Sequence, residues 1–245
     1  LDGMEAFARE ETGHYDQAEA LGRRGVERDP TDLWAIHAVA HVLEMQQRRA
    51  EGVDWLDQNR PVLTGGGFAG HLWWHQAIQL WALGRCDEAL ALFDDAVYPG
   101  DSSEGLDLTN ATSLLARLEA SDVEVGDRWS RLSEGATARL GRHSHPFNDS
   151  HHILALTRAG QDAQARELLA GMRAWSAGDH DAAEVLRHVG VAAGEGMLAY
   201  GSGRWSDAAD HLASVADEWW RLGGSKAQRF FYATVLGDAR RRAAA

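Results

Sequence analysis

Hydrophobic and polar positions follow a helical period in nearly every segment of the chain. In the stretch 89–96, for example, Leu90, Leu92 and Phe93 form an apolar face beside two aspartates. No segment shows the period of two that indicates a half-buried strand, and the chain has only four prolines in 245 residues. The pattern therefore predicts an all-α fold.

A short turn pattern occurs four times, as a glycine followed by an alanine five residues later. The pairs are Gly13 with Ala18, Gly84 with Ala89, Gly160 with Ala165, and Gly203 with Ala208. Glycine adopts the left-handed conformation that ends a helix, and a small alanine lets the next helix pack closely on the first. Each occurrence predicts a helix hairpin.

The spacing of these hairpins is similar to that of the tetratricopeptide repeat, which has 34 residues. Gly13 and Gly84 lie about two repeats apart, and a step of one repeat from Gly13 reaches Gln47, with Gly52 as the small residue that follows. We predict a tetratricopeptide-like helical-hairpin solenoid, a right-handed superhelix of about six helix pairs. It is expected to form a single array over residues 1–245.

Three segments interrupt the repeat. Residues 59–68 are rich in glycine, residues 98–103 form a turn cluster, and residues 141–152 read as a loop that enters a helix. Asp149 or Ser150 is the expected N-cap of that helix.

Several blocks resemble the tetratricopeptide repeat protein 38 family. They are residues 7–15, 34–45, 71–75, 113–119, 126–129 and 223–229, and they occur in the family's order along nearly the whole chain. The last block, Gly-Gly-Ser-Lys-Ala-Gln-Arg, is similar to a motif of that family, although Phe230 and Phe231 follow where the family tends to have Asp-Val. The resemblance implies a strongly curved or closed solenoid that continues a longer array upstream, and it implies no particular reaction.

Composition and charge exclude several classes of function. The chain has 24 basic and 37 acidic residues, a net charge of −13 and only one lysine, Lys226, so we expect no nucleic-acid partner. A single cysteine, Cys86, excludes an internal disulfide and a cysteine-based zinc site. No apolar run reaches the roughly 18 residues of a membrane span, and no secretory signal is present. We predict a soluble, cytoplasmic protein without a membrane partner; the sequence does not indicate an oligomeric state.

The strongest candidate site consists of His37, His41 and Glu44, preceded by Trp34. Spacings of four and three place them on one helix face, and the first helix of a tetratricopeptide hairpin lines the concave groove. Such a set suits acid–base catalysis or metal binding, whereas hydrogen bonds to neighbouring helices would make it structural. We predict no cofactor or metal, because one helix cannot surround an ion. A metal would need His75 or His151 as a further ligand.

Three tryptophans and a histidine form a second candidate group. Trp73 occupies the tryptophan position of the repeat and is expected in the core, while Trp74, His75 and Trp81 are expected to wall the groove. Indole and imidazole rings suit a planar or cationic ligand, and packing in the core is the alternative.

Two further groups lie in the second half of the chain. Asn148 and His151 begin a helix near other histidines, where either ligand binding or an internal hydrogen bond is possible. Ser225, Gln228 and Arg229 follow two glycines, so free backbone N–H groups and a guanidinium would suit an anion. The alternative is an ordinary capped helix start.

These features favour a binding module with a concave pocket for a small polar or anionic molecule. Grooves that bind peptides use basic residues and asparagine, whereas histidine, glutamate and tryptophan are expected here. This difference favours the small-molecule pocket, and a peptide-binding scaffold is kept as a further alternative. The other alternative is an enzyme in which His37, His41 and Glu44 perform acid–base or metal-assisted chemistry. No nucleophile elbow, phosphate-binding loop or dinucleotide-binding fingerprint is present.

Overall fold

A computed structural model describes residues 2–65, 67–100, 102–143 and 145–245. All regular secondary structure in these ranges is helical, which confirms the predicted all-α class. Each of the three segments predicted to interrupt the repeat includes one residue outside the described ranges, namely Gly66, Asp101 or Ser144. Leu1 also lies outside these ranges.

The chain divides into two compact units, Leu1–Pro99 and Gly100–Ala245. The boundary falls in the turn cluster predicted over residues 98–103. The expectation of a single repeat array over residues 1–245 remains a prediction.

In the described part of the first unit, six α-helices are joined by short turns. They are α1 (Asp2–Glu11), α2 (Tyr15–Arg28), α3 (Leu33–Met45), α4 (Arg49–Gln58), α5 (Phe68–Ala82) and α6 (Cys86–Leu92), with a 3₁₀ turn at Arg60–Val62 and a π-helical segment at Phe93–Val97. Helix α1 packs against α2 and α3, and α3 packs against α5. Helices α3 and α5 are buried over most of their length, because their sequences are apolar almost all round.

Eight α-helices lie within the residues of the second unit that the structure describes. They are α7 (Gly105–Ala120), α8 (Arg128–Thr137), α9 (Pro146–Arg158), α10 (Asp162–Ser176), α11 (Asp181–Val185), α12 (Val191–Gly201), α13 (Trp205–Ser214) and α14 (Lys226–Ala243), with a π-helical segment at Leu186–Gly190 and a 3₁₀ segment at Ala216–Leu222. Helix α9 lies at the centre of this unit and packs against α7, α8, α10 and α12.

The glycine–alanine turns have the predicted conformation. The four glycines have φ between 73° and 83°, which is the left-handed region, and the alanine that follows each of them is completely buried. The four pairs predicted from the sequence therefore do end one helix and begin a closely packed next one.

Gln47 occupies the turn that a repeat of 34 residues predicts after Gly13. Its φ is +60°, although it carries a side chain, so the backbone keeps the glycine-like conformation without the glycine. Five residues later, a Cβ atom at Gly52 would lie 2.0 Å from Oε1 of Gln79, which shows why this position needs the smallest residue. The turn is thus preserved in geometry while its residue types differ.

The predicted N-cap of α9 is wrong. His145 caps the helix and Pro146 occupies its first turn, so Asp149 and Ser150 lie inside the helix. Proline is well suited to the first helical position, since its missing N–H would have no helical partner there. Among the described residues, no helix combines the length and apolar character needed to cross a bilayer.

Candidate metal centre

Two pairs of histidines from neighbouring helices meet in the core of the first unit. His37 and His41 lie on α3, and His71 and His75 lie on α5. A spacing of four places both members of a pair on one helix face, and the two faces are directed at each other. All four side chains are buried, with 0 to 5% of their surface exposed. We call these four residues the histidine cluster.

Three ring nitrogens of the histidine cluster lie very close together. Nε2 of His71 is 3.1 Å from Nε2 of His37 and 3.2 Å from Nε2 of His75. The ring of His41 lies 4.4 Å, centre to centre, from the rings of both His37 and His75. One potential ligand atom from each of the four residues lies within 4.8 Å of the others, so the cluster can surround one ion.

Burial favours the metal-binding form of His37. The pKa of His37 is lowered well below 6.5, first by its removal from water and then by the neighbouring His41 and His71. A neutral imidazole retains a lone pair on one ring nitrogen, which is the form that binds a metal ion.

A buried carboxylate lies beside the cluster. Glu10, in the last turn of α1, is completely buried, and its Oε2 lies 3.4 Å from Nδ1 of His41. Neither oxygen of Glu10 makes a hydrogen bond within the described part of the chain. Glu11 also has an oxygen within 4.8 Å of His41 and Glu10. Carboxylate oxygens are therefore available as further ligand atoms next to the four imidazoles.

Three aromatic side chains also lie around His37. Phe7 and Phe68 each lie 5.0 Å from the His37 ring, and Trp34 lies 5.6 Å from it. Trp34 is 41% exposed, and Phe7 and Phe68 are half-buried, so this group forms the outer edge of the site. We call Phe7, Trp34 and Phe68 the aromatic rim.

The structure brings together some of the predicted site residues and separates others. His37, His41 and His75 belong to the cluster, and Trp34 belongs to the aromatic rim. Glu44 is half-buried and belongs to neither of the metal-binding sets found among the described residues. The carboxylate beside His41 comes from Glu10 on α1, and not from Glu44 on the same helix as His41.

Trp74 and Trp81 do not share one environment. Trp74 is completely buried and stacks on His71, with ring centres 5.2 Å apart, so it belongs to the core behind the cluster. Trp81 is half-buried near the end of α5. Trp74 is thus in the packing alternative given for this group, while the expectation that Trp74 and Trp81 wall a groove stays a prediction. Trp73, predicted to pack in the core, is buried.

The sequence analysis did not select three residues that the structure places at the site. His71 lies in the block 71–75 that resembles the family, but it was not chosen, although the four-residue spacing of His71 and His75 was visible. Glu10 and Glu11 gave no such signal, since glutamates are common on exposed helix faces. Only the packing of α1 on α3 shows that they face His41.

His151 and Asn148 lie in the second unit. Nδ1 of His151 donates to the carbonyl oxygen of Phe147, its ring stacks on Phe231, and burial lowers its pKa to about 3. Asn148 is half-buried, and its amide packs against Gly105. These contacts correspond to the internal, structural alternative for this group.

The segment that begins α14 is a complete capping box. Gln228 N donates to Ser225 Oγ at 3.3 Å, and Ser225 N donates to Gln228 Oε1 at 2.8 Å. Arg229 donates to the carbonyl oxygens of Gly223 and Gly224. The backbone N–H groups of Ser225 and Gln228 and the guanidinium of Arg229 thus donate within the protein, as in an ordinary capped helix start. Anion binding at this segment remains a prediction.

No protein-family model and no solved structure matches the chain.

Proposed function

We propose that the first unit binds a divalent transition-metal ion through the histidine cluster, and that the protein is a metal-dependent enzyme. One observation carries this proposal: Nε2 of His71 lies 3.1 and 3.2 Å from two other imidazole nitrogens. A ring nitrogen has either one N–H or one lone pair, so it cannot make two well-aligned hydrogen bonds. A shared cation satisfies all three nitrogens at once.

The separations agree with metal coordination. Zinc–nitrogen distances of about 2.0–2.1 Å in a tetrahedral site place two ligand nitrogens about 3.3–3.4 Å apart. The observed values of 3.1 and 3.2 Å fall slightly below this range. A small outward rotation of the rings would therefore accommodate an ion.

The donor set favours particular metals. Imidazole suits zinc, copper, iron and nickel, whereas magnesium and calcium prefer oxygen ligands. Four imidazoles would complete a tetrahedral zinc site, but they would leave positions open on an ion that accepts six ligands. Since an open position is what a catalytic metal needs, iron or a similar ion suits the enzyme function best.

Access to the site favours a small substrate. The histidine cluster is buried, and the aromatic rim at Phe7, Trp34 and Phe68 is its partly exposed side. A small polar or anionic molecule, as expected from the sequence, would bind the metal with its polar end and contact the rim with its apolar part. The metal would polarise that polar group, and Glu10 is the nearest carboxylate that could accept a proton.

Metal content tests this proposal. Protein purified without chelators should contain about one tightly held transition-metal ion per chain, and His71→Ala should lose it. His188→Ala is the matched control, because His188 is an exposed histidine in the second unit. Metal absent from wild type after incubation with zinc, iron(II) and copper(II), or retained in full by His71→Ala, would refute the proposal.

The tetratricopeptide-like solenoid of about six right-handed pairs, and the family resemblance, remain part of the proposal. Their support is the left-handed turn conformation that recurs at Gly13, Gln47, Gly84, Gly160 and Gly203. An experimental structure that shows successive hairpins stacked with a constant right-handed rotation would establish this architecture. Stacking in any other arrangement would rule it out.

A surface pocket in the second unit favours one further candidate function, metal-independent binding of a small charged molecule. The pocket has a volume of about 410 Å³, and Trp129, Glu119, Arg158 and Arg242 contribute to its wall. Charges of both signs beside an indole suit a zwitterion. A free amino acid that binds the protein should bind Arg158→Gln more weakly, while the metal content stays unchanged. Equal binding to wild type and Arg158→Gln would show that this pocket is not the binding site.

A further inference from the structure

We infer that Glu10, Glu11 and His41 form a second cation position next to the histidine cluster, so that the centre holds two metal ions. This inference rests on the proposed function, because His41 belongs to both sets. One potential ligand atom from each of these three residues lies within 4.8 Å of the others.

The first argument is the environment of Glu10. Its side chain is completely buried, yet neither carboxylate oxygen makes a hydrogen bond within the described residues. Buried carboxylates in folded proteins are paired with donors or bind cations, because their charge is otherwise strongly disfavoured away from water. The nearest group that can donate is Nδ1 of His41, at 3.4 Å, and it makes no hydrogen bond with the carboxylate. A cation would supply the partner that Glu10 needs.

The second argument is the position of His41. It is completely buried, and neither of its ring nitrogens makes a hydrogen bond within the described residues. Nδ1 faces Glu10, while the ring as a whole lies against His37 and His75. Nδ1 lies 3.4 Å from Oε2 of Glu10, so it is the nitrogen that can serve as a ligand of the second position. His41 therefore links the two ligand sets.

The ligand chemistry of the two positions differs. The histidine cluster offers nitrogen only, whereas Glu10 and Glu11 offer oxygen beside the single imidazole of His41. Carboxylate-rich sets favour harder ions such as manganese(II), and iron(II) accepts both kinds of ligand. The two carboxylates therefore add oxygen ligands that the histidine cluster does not offer. We therefore assign manganese(II) or iron(II) to the second position.

The alternative is that Glu10 only orients His41. A carboxylate that accepts the Nδ1 proton of a metal-bound histidine fixes the ring and leaves Nε2 for the metal. That arrangement needs a hydrogen bond between Nδ1 and Oε2, and it predicts one ion per chain. The number of ions bound therefore separates the two arrangements.

The experiment uses the whole chain, stripped of metal and then loaded with zinc and manganese(II), with unbound ions removed. Elemental analysis should find about two ions per chain in wild type. Glu10→Gln should retain about one ion, because its amide has the same shape but carries no charge. Glu11→Gln, at a half-buried position, is a second variant with less risk of misfolding and should weaken the second ion at least tenfold.

Glu5→Gln is the matched control, since Glu5 lies on the same helix but is exposed and paired with Arg9. It should bind as wild type does. Manganese electron paramagnetic resonance should show a bound ion in wild type and Glu5→Gln that is lost in Glu10→Gln, while circular dichroism shows equal helix content.

Two outcomes overturn the inference in different ways. One ion per chain in wild type, unchanged in Glu10→Gln and Glu11→Gln, would leave the proposed metal site standing and assign Glu10 the orienting role. No ion in wild type with either metal would refute the proposed function and the second position together.

Discussion

Nε2 of His37 and Nε2 of His71 lie 3.1 Å apart, although the two residues are 34 positions apart in the chain. His41 and His75 have the same separation in the sequence. A separation of 34 positions is the length of one tetratricopeptide repeat. His37 and His41 lie on α3, the first helix of the hairpin α3–α4, and His71 and His75 lie on α5, the first helix of the hairpin α5–α6. The two helices thus carry the same two-histidine pattern, and the four side chains meet in one cluster.

Metal binding should stabilise the protein against unfolding. Zinc at about 100 times its dissociation constant should add about 2.7 kcal/mol to the unfolding free energy of the first unit, because the unfolded chain lacks the assembled site. The measurement is thermal unfolding with and without zinc. His71→Ala should show no shift, whereas His188→Ala should behave as wild type. An equal shift in His71→Ala would place the binding elsewhere.

Acid should destabilise the second unit through His151 and His152. Burial lowers the pKa of each side chain from 6.5 to about 3. Between these values the unfolded chain binds a proton at each histidine and the folded chain does not, so the unfolding free energy falls as the pH falls. Each histidine contributes about 1.4 kcal/mol per pH unit in that window, and above pH 6.5 the effect is absent.

The variant His152→Leu isolates half of this effect. It removes one buried imidazole whose Nε2 makes no hydrogen bond within the described residues. The slope of unfolding free energy between pH 6 and 4, from denaturant titrations, should fall by about 1.4 kcal/mol per pH unit relative to wild type. His188→Leu, at an exposed site, should leave the slope unchanged. Equal slopes in His152→Leu and wild type would mean that His152 titrates normally in the folded state.

The turn at Gly84 provides a test of backbone strain alone. Its φ is +76°, and no atom lies within 4 Å of the place where a Cβ would be. Gly84→Ala should therefore destabilise the protein by about 1–2 kcal/mol through conformation, without any clash. The urea midpoint measures this change, and an unchanged midpoint would show that the turn adapts freely.

Gln47→Gly is the reciprocal change. Gln47 already has φ of +60°, so glycine should relieve the strain, although it also makes the unfolded chain more flexible. The net effect should be a gain of about 0.5–1 kcal/mol in the same urea titration. A loss of stability would indicate that the Gln47 side chain makes contacts that outweigh its backbone strain.

The start of α14 distinguishes a helix cap from an anion site. Ser225→Ala removes the side-chain half of the capping box and should cost about 1 kcal/mol of stability, with no dependence on phosphate or sulfate. Thermal unfolding in increasing phosphate, at constant ionic strength, is the measurement. Stabilisation of wild type by phosphate that disappears in Arg229→Gln would restore the anion site predicted from the sequence.

Local turn chemistry made much of the fold predictable. Left-handed glycines and buried alanines are determined by neighbouring residues, so Gly13 with Ala18 and its three counterparts gave correct hairpins. The first residue of a helix was less predictable. In α9, both a proline at position 146 and an aspartate at position 149 are typical of helix starts, and only packing decides between them. The boundary at Pro99 was visible as a turn cluster, but the division into two units depends on contacts that the sequence does not display.

The candidate site was predictable only along single helices. The spacing of His37 and His41 is fixed by helix geometry, so their shared face followed from the sequence. The choice of carboxylate did not, since Glu44 fits the spacing while Glu10 comes from another helix. Glu10 has no regular spacing from the histidines, and only the packing of α1 on α3 brings it to His41, which explains why it was missed.

Helix α1 supplies both Glu10 and Phe7, so it contributes a carboxylate beside His41 and an aromatic ring that contacts His37 and His41. The helix has only ten residues and would be marginal in isolation, so its stability depends on docking against α2 and α3. Transient undocking of α1 would open the core to solvent and remove a carboxylate from His41 in the same motion. Ion release and local unfolding of this helix would then be one equilibrium, and amide hydrogen exchange in α1 would slow as the cluster fills.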